Sequence, residues 1–205
     1  MKDTFYRLSE EKRLNLINSC IKEFSKNTYD NTSLNSIITE AKISKGGLFK
    51  YIENKRDLYL YIISLIMKNI IKYQSRNVDM SIRCYFDRLN ALLDCGFDYY
   101  KNHELEFRVM LNAFYDLSSP CHEDVMLIRK ELIKTYQMDL LEDIDWSQYK
   151  ENKKNILKIS EYIIDGYNLA FIRKLELNYS VEELEKVMKS DLDLIINTIK
   201  TAVKG

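Results

Sequence analysis

Apolar residues recur three and four positions apart along most of this chain, and over no useful length do they alternate. Those spacings mark one face of an α-helix, whereas a half-buried strand repeats every second residue. Leu14, Ile17, Ile21 and Phe24 form the first such stripe. Ile82, Phe86, Leu89, Leu93 and Phe97 form another, and Val125, Ile128, Leu132, Tyr136 and Leu140 a third. Five glycines and one proline in 205 residues leave few places for the tight turns that sheets need. The pattern predicts an all-α chain of about nine helices, long enough to bury a substantial core.

Helix ends are marked by capping chemistry. Ser9 followed by Glu10 and Glu11 predicts the start of the first helix, because a hydroxyl caps and carboxylates suit the positive end of the dipole. Thr32 or Ser33 starts the second, with Leu34, Ile37, Ile38 and Ala41 on its buried face. Lys42 and Ile43 make a turn, and Ser44 caps a third helix expected to reach about Ile52. Asn54 and Asp57 resemble a capping box ahead of a long fourth helix, with Leu58, Ile62 and Leu65 along one side. Further helices are expected over roughly 149–177 and from the Ser180–Glu183 capping box to about Val203. The expected division is a head over 1–53, a linking helix over 54–76, and a helical body over 77–205.

Charge follows the same division. Residues 1–78 hold 14 Lys and Arg against 8 Asp and Glu, a balance of +6; the remainder holds 17 against 23, a balance of −6. A basic head on an acidic body fits a head that meets phosphate. No run of about 18 apolar residues is present to span a membrane. The N-terminus turns polar at once and lacks a signal-peptide apolar region, which predicts a cytoplasmic protein. Cys20, Cys84, Cys95 and Cys121 have no metal-binding spacing and read as reduced thiols. His103 and His122 are the only histidines, and no nucleophile–base constellation surrounds them. No catalytic residue, metal or cofactor is expected.

The segment from Ser33 to Ile52 reads as two short helices joined by a tight turn, the build of a helix-turn-helix. The second helix of that motif enters the major groove of double-stranded DNA. It opens here with Ser44, Lys45, Gly46 and Gly47. Glycines let a backbone approach DNA closely, yet each costs up to about 1 kcal/mol inside a helix, so two together point to a use beyond stability. Lys50 lies one turn along and shares their face, and Tyr51 supplies a hydroxyl for a phosphate. Ser33 offers a hydroxyl and a backbone N–H to phosphate, and Lys55 adds charge at the next helix. Leu48 and Phe49 read as packing residues.

This block resembles the DNA-binding head of the TetR/AcrR family of bacterial transcriptional regulators. The match runs Ser33-Leu34-x-x-Ile37, then Ala41-x-Ile43-Ser44-Lys45-Gly46-Gly47-Leu48-Phe49-Lys50-Tyr51, then Asn54-Lys55-x-x-Leu58. The resemblance implies that Ser33, Lys45, Tyr51 and Lys55 meet the DNA backbone. It implies that Gly46, Gly47 and Lys50 meet base edges or nearby phosphates. Three residues depart from the family pattern. Lys42 stands where glycine is usual, at a cost on the order of 1 kcal/mol if its backbone is left-handed, and it could add a phosphate contact. Ile52 stands for a phenylalanine and Ile38 for a small alanine.

The body is less readable. Ile156, Ile159, Ile163, Gly166 and Ala170 recur at helical spacing and suit a helix–helix seam, with Leu184, Met188, Ile195 and Ile199 as a matching stripe. The resemblance implies that these last two helices form a four-helix homodimer interface; the other reading is that the seam faces the chain's own core. Phe86, Phe107, Met110, Phe114, Met126 and Tyr136 belong to an aromatic- and methionine-rich stretch, which is either core or the wall of an effector pocket. The resemblance favours a pocket for a small-molecule effector of unknown identity. The expected function is a homodimeric repressor binding a palindromic operator and released by that effector. Two alternatives remain open at this stage: an effector-independent DNA-binding activator, and a helical protein-interaction module.

Overall fold

The computed structural model describes residues 1–141 and 143–204, and all of their side chains but those of 135–140. Among these residues the chain forms ten α-helices: α1 Asp3–Tyr6, α2 Glu10–Phe24, α3 Leu34–Glu40, α4 Lys45–Leu48, α5 Lys55–Asn77, α6 Tyr85–Asn102, α7 Glu104–Tyr115, α8 His122–Leu140, α9 Lys153–Glu176 and α10 Val181–Val203. One 3-10 turn covers Trp146–Gln148. The only strand-like pairing described is a single bridge between Tyr149 and Lys204. Residues 1–70 with 103–135 make one compact unit, and 71–102 with 136–205 another.

In the first unit, α2 buries Leu16, Cys20, Ile21 and Phe24. Leu14, expected in that stripe, is 48% exposed, because the core lies under the 16–20–24 row instead. Ile37 and Ala41 of α3, Leu48, Ile52, and Leu58, Ile62 and Ile66 of α5 join the same core. From farther along the chain, Val109, Met110 and Ala113 of α7 and Cys121 and Val125 at the start of α8 complete it. Each large apolar side chain so enclosed contributes about 1.5–3 kcal/mol. Phe24 meets Tyr59 edge-on at 4.9 Å.

The second unit is built on α6, α9 and α10. Tyr85, Phe86, Leu89 and Phe97 face inward from α6, and Ile156, Ile163, Tyr167 and Phe171 from α9. From α10 the buried row is Leu184, Met188, Leu192 and Ile196. Phe171 sits edge-on to both Phe97, at 5.8 Å, and Tyr100, at 5.0 Å. The Ser180–Glu183 capping box forms as expected. Arg88 is buried and spends its guanidinium on the carbonyls of Ile82 and Met80, which fixes the loop entering α6.

Candidate nucleic-acid interface

The expected helix-turn-helix is α3, the four connecting residues 41–44 and α4. Ser33 caps α3 by accepting from Ser36 N–H at 3.4 Å. Its own N–H is bonded to the Glu23 carboxylate at 3.0 Å, so of the two groups expected to offer themselves to phosphate only the hydroxyl remains. α3 ends at Ala41, and the next residue, Lys42, has φ 54°. Lys42 N–H bonds Thr39 O at 3.2 Å and Ile43 N–H bonds Ile38 O at 3.1 Å. That pair of bonds is a Schellman motif, which calls for a left-handed residue where this chain has lysine. Asn15 Nδ2 ties the turn to α2 by donating to Ala41 O at 2.9 Å. The lysine side chain is exposed.

Ser44 caps α4, its hydroxyl accepting from Gly47 N–H at 3.0 Å. Regular helix covers only Lys45–Leu48; the chain continues to Ile52 through looser turns, with Tyr51 N–H on Leu48 O at 2.8 Å and Ile52 N–H on the same oxygen at 3.2 Å. The expected third helix is therefore shorter, as two glycines in four residues would make it. Lys45, Gly46 and Lys50 are exposed, and Gly47 and Tyr51 half-buried. Leu48 is fully enclosed, but Phe49, expected to pack, is 38% exposed. A Cβ on Gly46 would meet nothing within 4 Å, whereas one on Gly47 would meet Ser44 Oγ at 3.1 Å. Gly47 thus serves the cap, while the fold itself has no steric need of Gly46.

Lys55 differs from the expectation. Its ammonium donates to Asp30 O at 3.2 Å and Thr32 O at 3.0 Å, and lies 4.6 Å from the centre of the Tyr29 ring. Two of its three donors hold the loop that leads into α3. Burial, then a hydrogen bond with Cys121, pushes the Tyr29 hydroxyl up to about 12, so the ring under that ammonium stays neutral. Beside them Arg56 pairs with Asp124. Lys22 binds Glu40 at 2.7 Å, and this bond, with the charges of Lys22, Lys26 and Lys42, holds the Glu40 carboxyl below its usual range.

The residues expected in the body divide sharply. Ile156, Ile163, Leu184 and Met188 are enclosed in the core of the second unit. Ile159, Ala170 and Ile199 are half-buried, and Gly166 and Ile195 exposed. Sequence reading missed Tyr162 and Leu194, each 69% exposed, and Leu169, also exposed. With Gly166, Tyr162 and Leu169 form an outward row on α9 at spacings of four and three. Of the expected pocket residues, Met110 is core in the first unit and Phe86 core in the second, the latter against Tyr85 and Tyr149. Phe107, Phe114 and Met126 are half-buried. The Tyr136 side chain lies outside the described residues. A groove of about 100 Å³ occurs elsewhere, lined by Asp94, Phe97, Asp98, Tyr167, Glu185 and Lys189. Two of its carboxylates, Asp98 and Glu185, are already bound to Lys101 at 2.7 and 3.0 Å.

Residues 16–62 match the family described as bacterial regulatory proteins, tetR family. No curated protein matches the chain. Solved structures do. A TetR family transcriptional regulator from Chloroflexus aurantiacus superposes with a TM-score of 0.70 at 22% identity, over 100% of this chain and 98% of that one. FadR from Bacillus subtilis, solved with stearoyl-CoA, gives 0.67 at 14% identity over 89% and 97%. A TerR/AcrR family regulator from Aquifex aeolicus gives 0.56 at 20% identity over 90% and 99%. No described helix is long and apolar enough to cross a membrane. Residues 16–62 are thus similar to the tetR-family regulatory proteins, and the described chain has the all-helical fold of these solved regulators.

Proposed function

We propose that this protein is a non-catalytic transcriptional repressor, binding a palindromic operator as a homodimer and released by a small-molecule effector. The observation that carries the DNA reading is the exposed end of α4. Lys45, Gly46 and Lys50, with Lys42 from the turn, stand free of ion pairs among the described residues, on a backbone fixed by the Schellman turn and the Ser44 cap. In this reading residues 1–53 read DNA, 54–76 link, and 77–205 dimerise and regulate. Ser33, Ser44 and Tyr51 place hydroxyls toward phosphates, while Gly47 admits the cap.

What supports a homodimer is the outward row of Tyr162, Gly166 and Leu169 on α9, with Leu194 and Ile195 exposed on α10, apolar surface that a second copy would cover. Two recognition helices about one helical turn of DNA apart would then enter successive major grooves. Release requires that the effector bind more tightly to a dimer whose heads do not match that spacing. FadR binds stearoyl-CoA, which makes a long-chain acyl-CoA the first compound to try against the DNA complex.

The test is binding to the DNA that flanks its own gene, across a salt series, beside Lys50→Ala and Tyr51→Ala, with the mass of the free protein from light scattering. Expected are a dimer, affinity that falls steeply with salt, and loss in both variants. A monomer at micromolar concentration, or variants that bind like the parent, would overturn the reading.

A further inference from the structure

We propose that Lys2 and Thr4 are positioning residues for DNA reading, pinning the carbonyl end of the recognition helix; the inference rests on the DNA reading above. A helix leaves its last carbonyls without partners inside the helix. α4 is one turn long and half glycine, so it holds its own end weakly. Three consecutive carbonyls beyond it, of Phe49, Lys50 and Tyr51, each receive a donor from residues 2–4. Lys2 N–H donates to Tyr51 O at 2.8 Å. Lys2 Nζ donates to Phe49 O at 3.0 Å. Thr4 Oγ1 donates to Lys50 O.

The donors are themselves anchored. Phe5, next in the chain, is fully enclosed in the core of the first unit and meets the Tyr61 ring edge-on at 5.4 Å. The short α1 thereby carries the rigidity of the core to the backbone of Lys50, whose side chain is the one expected to reach DNA. A reading side chain needs its backbone held to within about half an ångström, and a single helical turn does not provide that. The Lys2 ammonium is also 3.3 Å from the Glu53 carboxylate, so its charge is committed on the protein side. Residues 2–4 lie outside the 16–62 family match.

The pin differs from a phosphate contact and from a purely structural role in what it changes. Thr4→Val, Thr4→Ser and Lys2→Met in the full chain would be compared for affinity to the same flanking DNA over a salt series. Melting temperature and amide exchange at residues 50–52 would be followed in parallel. Thr4→Val is expected to bind about three- to tenfold more weakly, the worth of one hydrogen bond. Its salt slope should be unchanged, its melting temperature nearly so, and its exchange at 50–52 faster; Thr4→Ser should restore all of these. Lys2→Met should behave like Thr4→Val. A salt slope lowered by about one in Lys2→Met would overturn the assignment in favour of a phosphate contact. So would an affinity loss matched by a general loss of stability, or unchanged exchange in Thr4→Val. If the parent bound no DNA, the DNA reading would fall. Exchange would then decide the pin alone: faster supports it, unchanged sinks it.

Discussion

Gly46→Ala should separate folding from DNA reading in one substitution. The added methyl meets nothing within 4 Å, and the glycine does not have positive φ. Alanine also loses less conformational freedom on folding. A Gly→Ala exchange at such a compatible helical site stabilises by about 0.5–1 kcal/mol, and α4 is so short that the lower end applies. For a chain of this size that is a rise of about 1–2 °C in melting temperature. On DNA the same methyl would lie between the helix backbone and the groove. Forcing an extra methyl into a close contact costs about 1–3 kcal/mol, or roughly five- to 150-fold in Kd. Gly47→Ala is the internal comparison: its methyl would press Ser44 Oγ at 3.1 Å, so the cap must shift and the gain in stability should vanish. Calorimetry and fluorescence anisotropy on the same samples decide the matter. A Gly46→Ala protein that melts higher and binds DNA unchanged would refute a close approach of this helix end to DNA.

Lys55→Met should lower the melting temperature and leave the salt slope of DNA binding where it was, because the ammonium is spent on Asp30 O and Thr32 O; a slope reduced by about one per subunit would show a phosphate contact instead. Asp87→Asn should remove part of the acid limb of stability. Burial raises the Asp87 carboxyl, but the hydrogen bonds from Lys200 and Cys84 and the charges of Lys200 and Lys204 outweigh it and hold it below its usual value. A carboxyl depressed in the folded state stabilises above its unfolded pKa and loses that contribution as pH falls through the folded one. The wild type should therefore exceed the variant in melting temperature above about pH 5, with the gap closing by about pH 3. The pair is substantially exposed, so the gap is worth under about 1 kcal/mol. A gap that widened toward acid would contradict the assignment.

What the sequence made legible, and what it did not, follows from the range of the interactions concerned. Helix starts at Ser9, Ser33, Ser44 and Ser180 were readable because each cap is closed within three residues. The left-handed backbone at Lys42 was readable for a similar reason, since the turn that demands it is local. Registers were harder. α2 offers both a 14–17–21–24 row and a 16–20–24 row, and α10 places Ile195 beside Ile196. Periodicity alone cannot choose between adjacent rows; the helices packed against them do. α1 is too short to show any period, so Lys2 and Thr4 went unnoticed although they reach residues 45 or more positions away. Lys55 and Ser33 carry the same lesson in charge and hydrogen bonding. A lysine in a basic head looks available for phosphate, and an N–H at a helix start looks unpaired. Their partners here, Asp30 and Thr32 for the one and Glu23 for the other, come from distant turns of the chain. The residues proposed to meet DNA are Lys42, Lys45, Gly46 and Lys50, all exposed and all within nine positions of one another. A block of some twenty residues was therefore enough to propose the interface, while Lys2 and Thr4, which bond the carbonyls of residues 49–51, became visible only once the chain was folded.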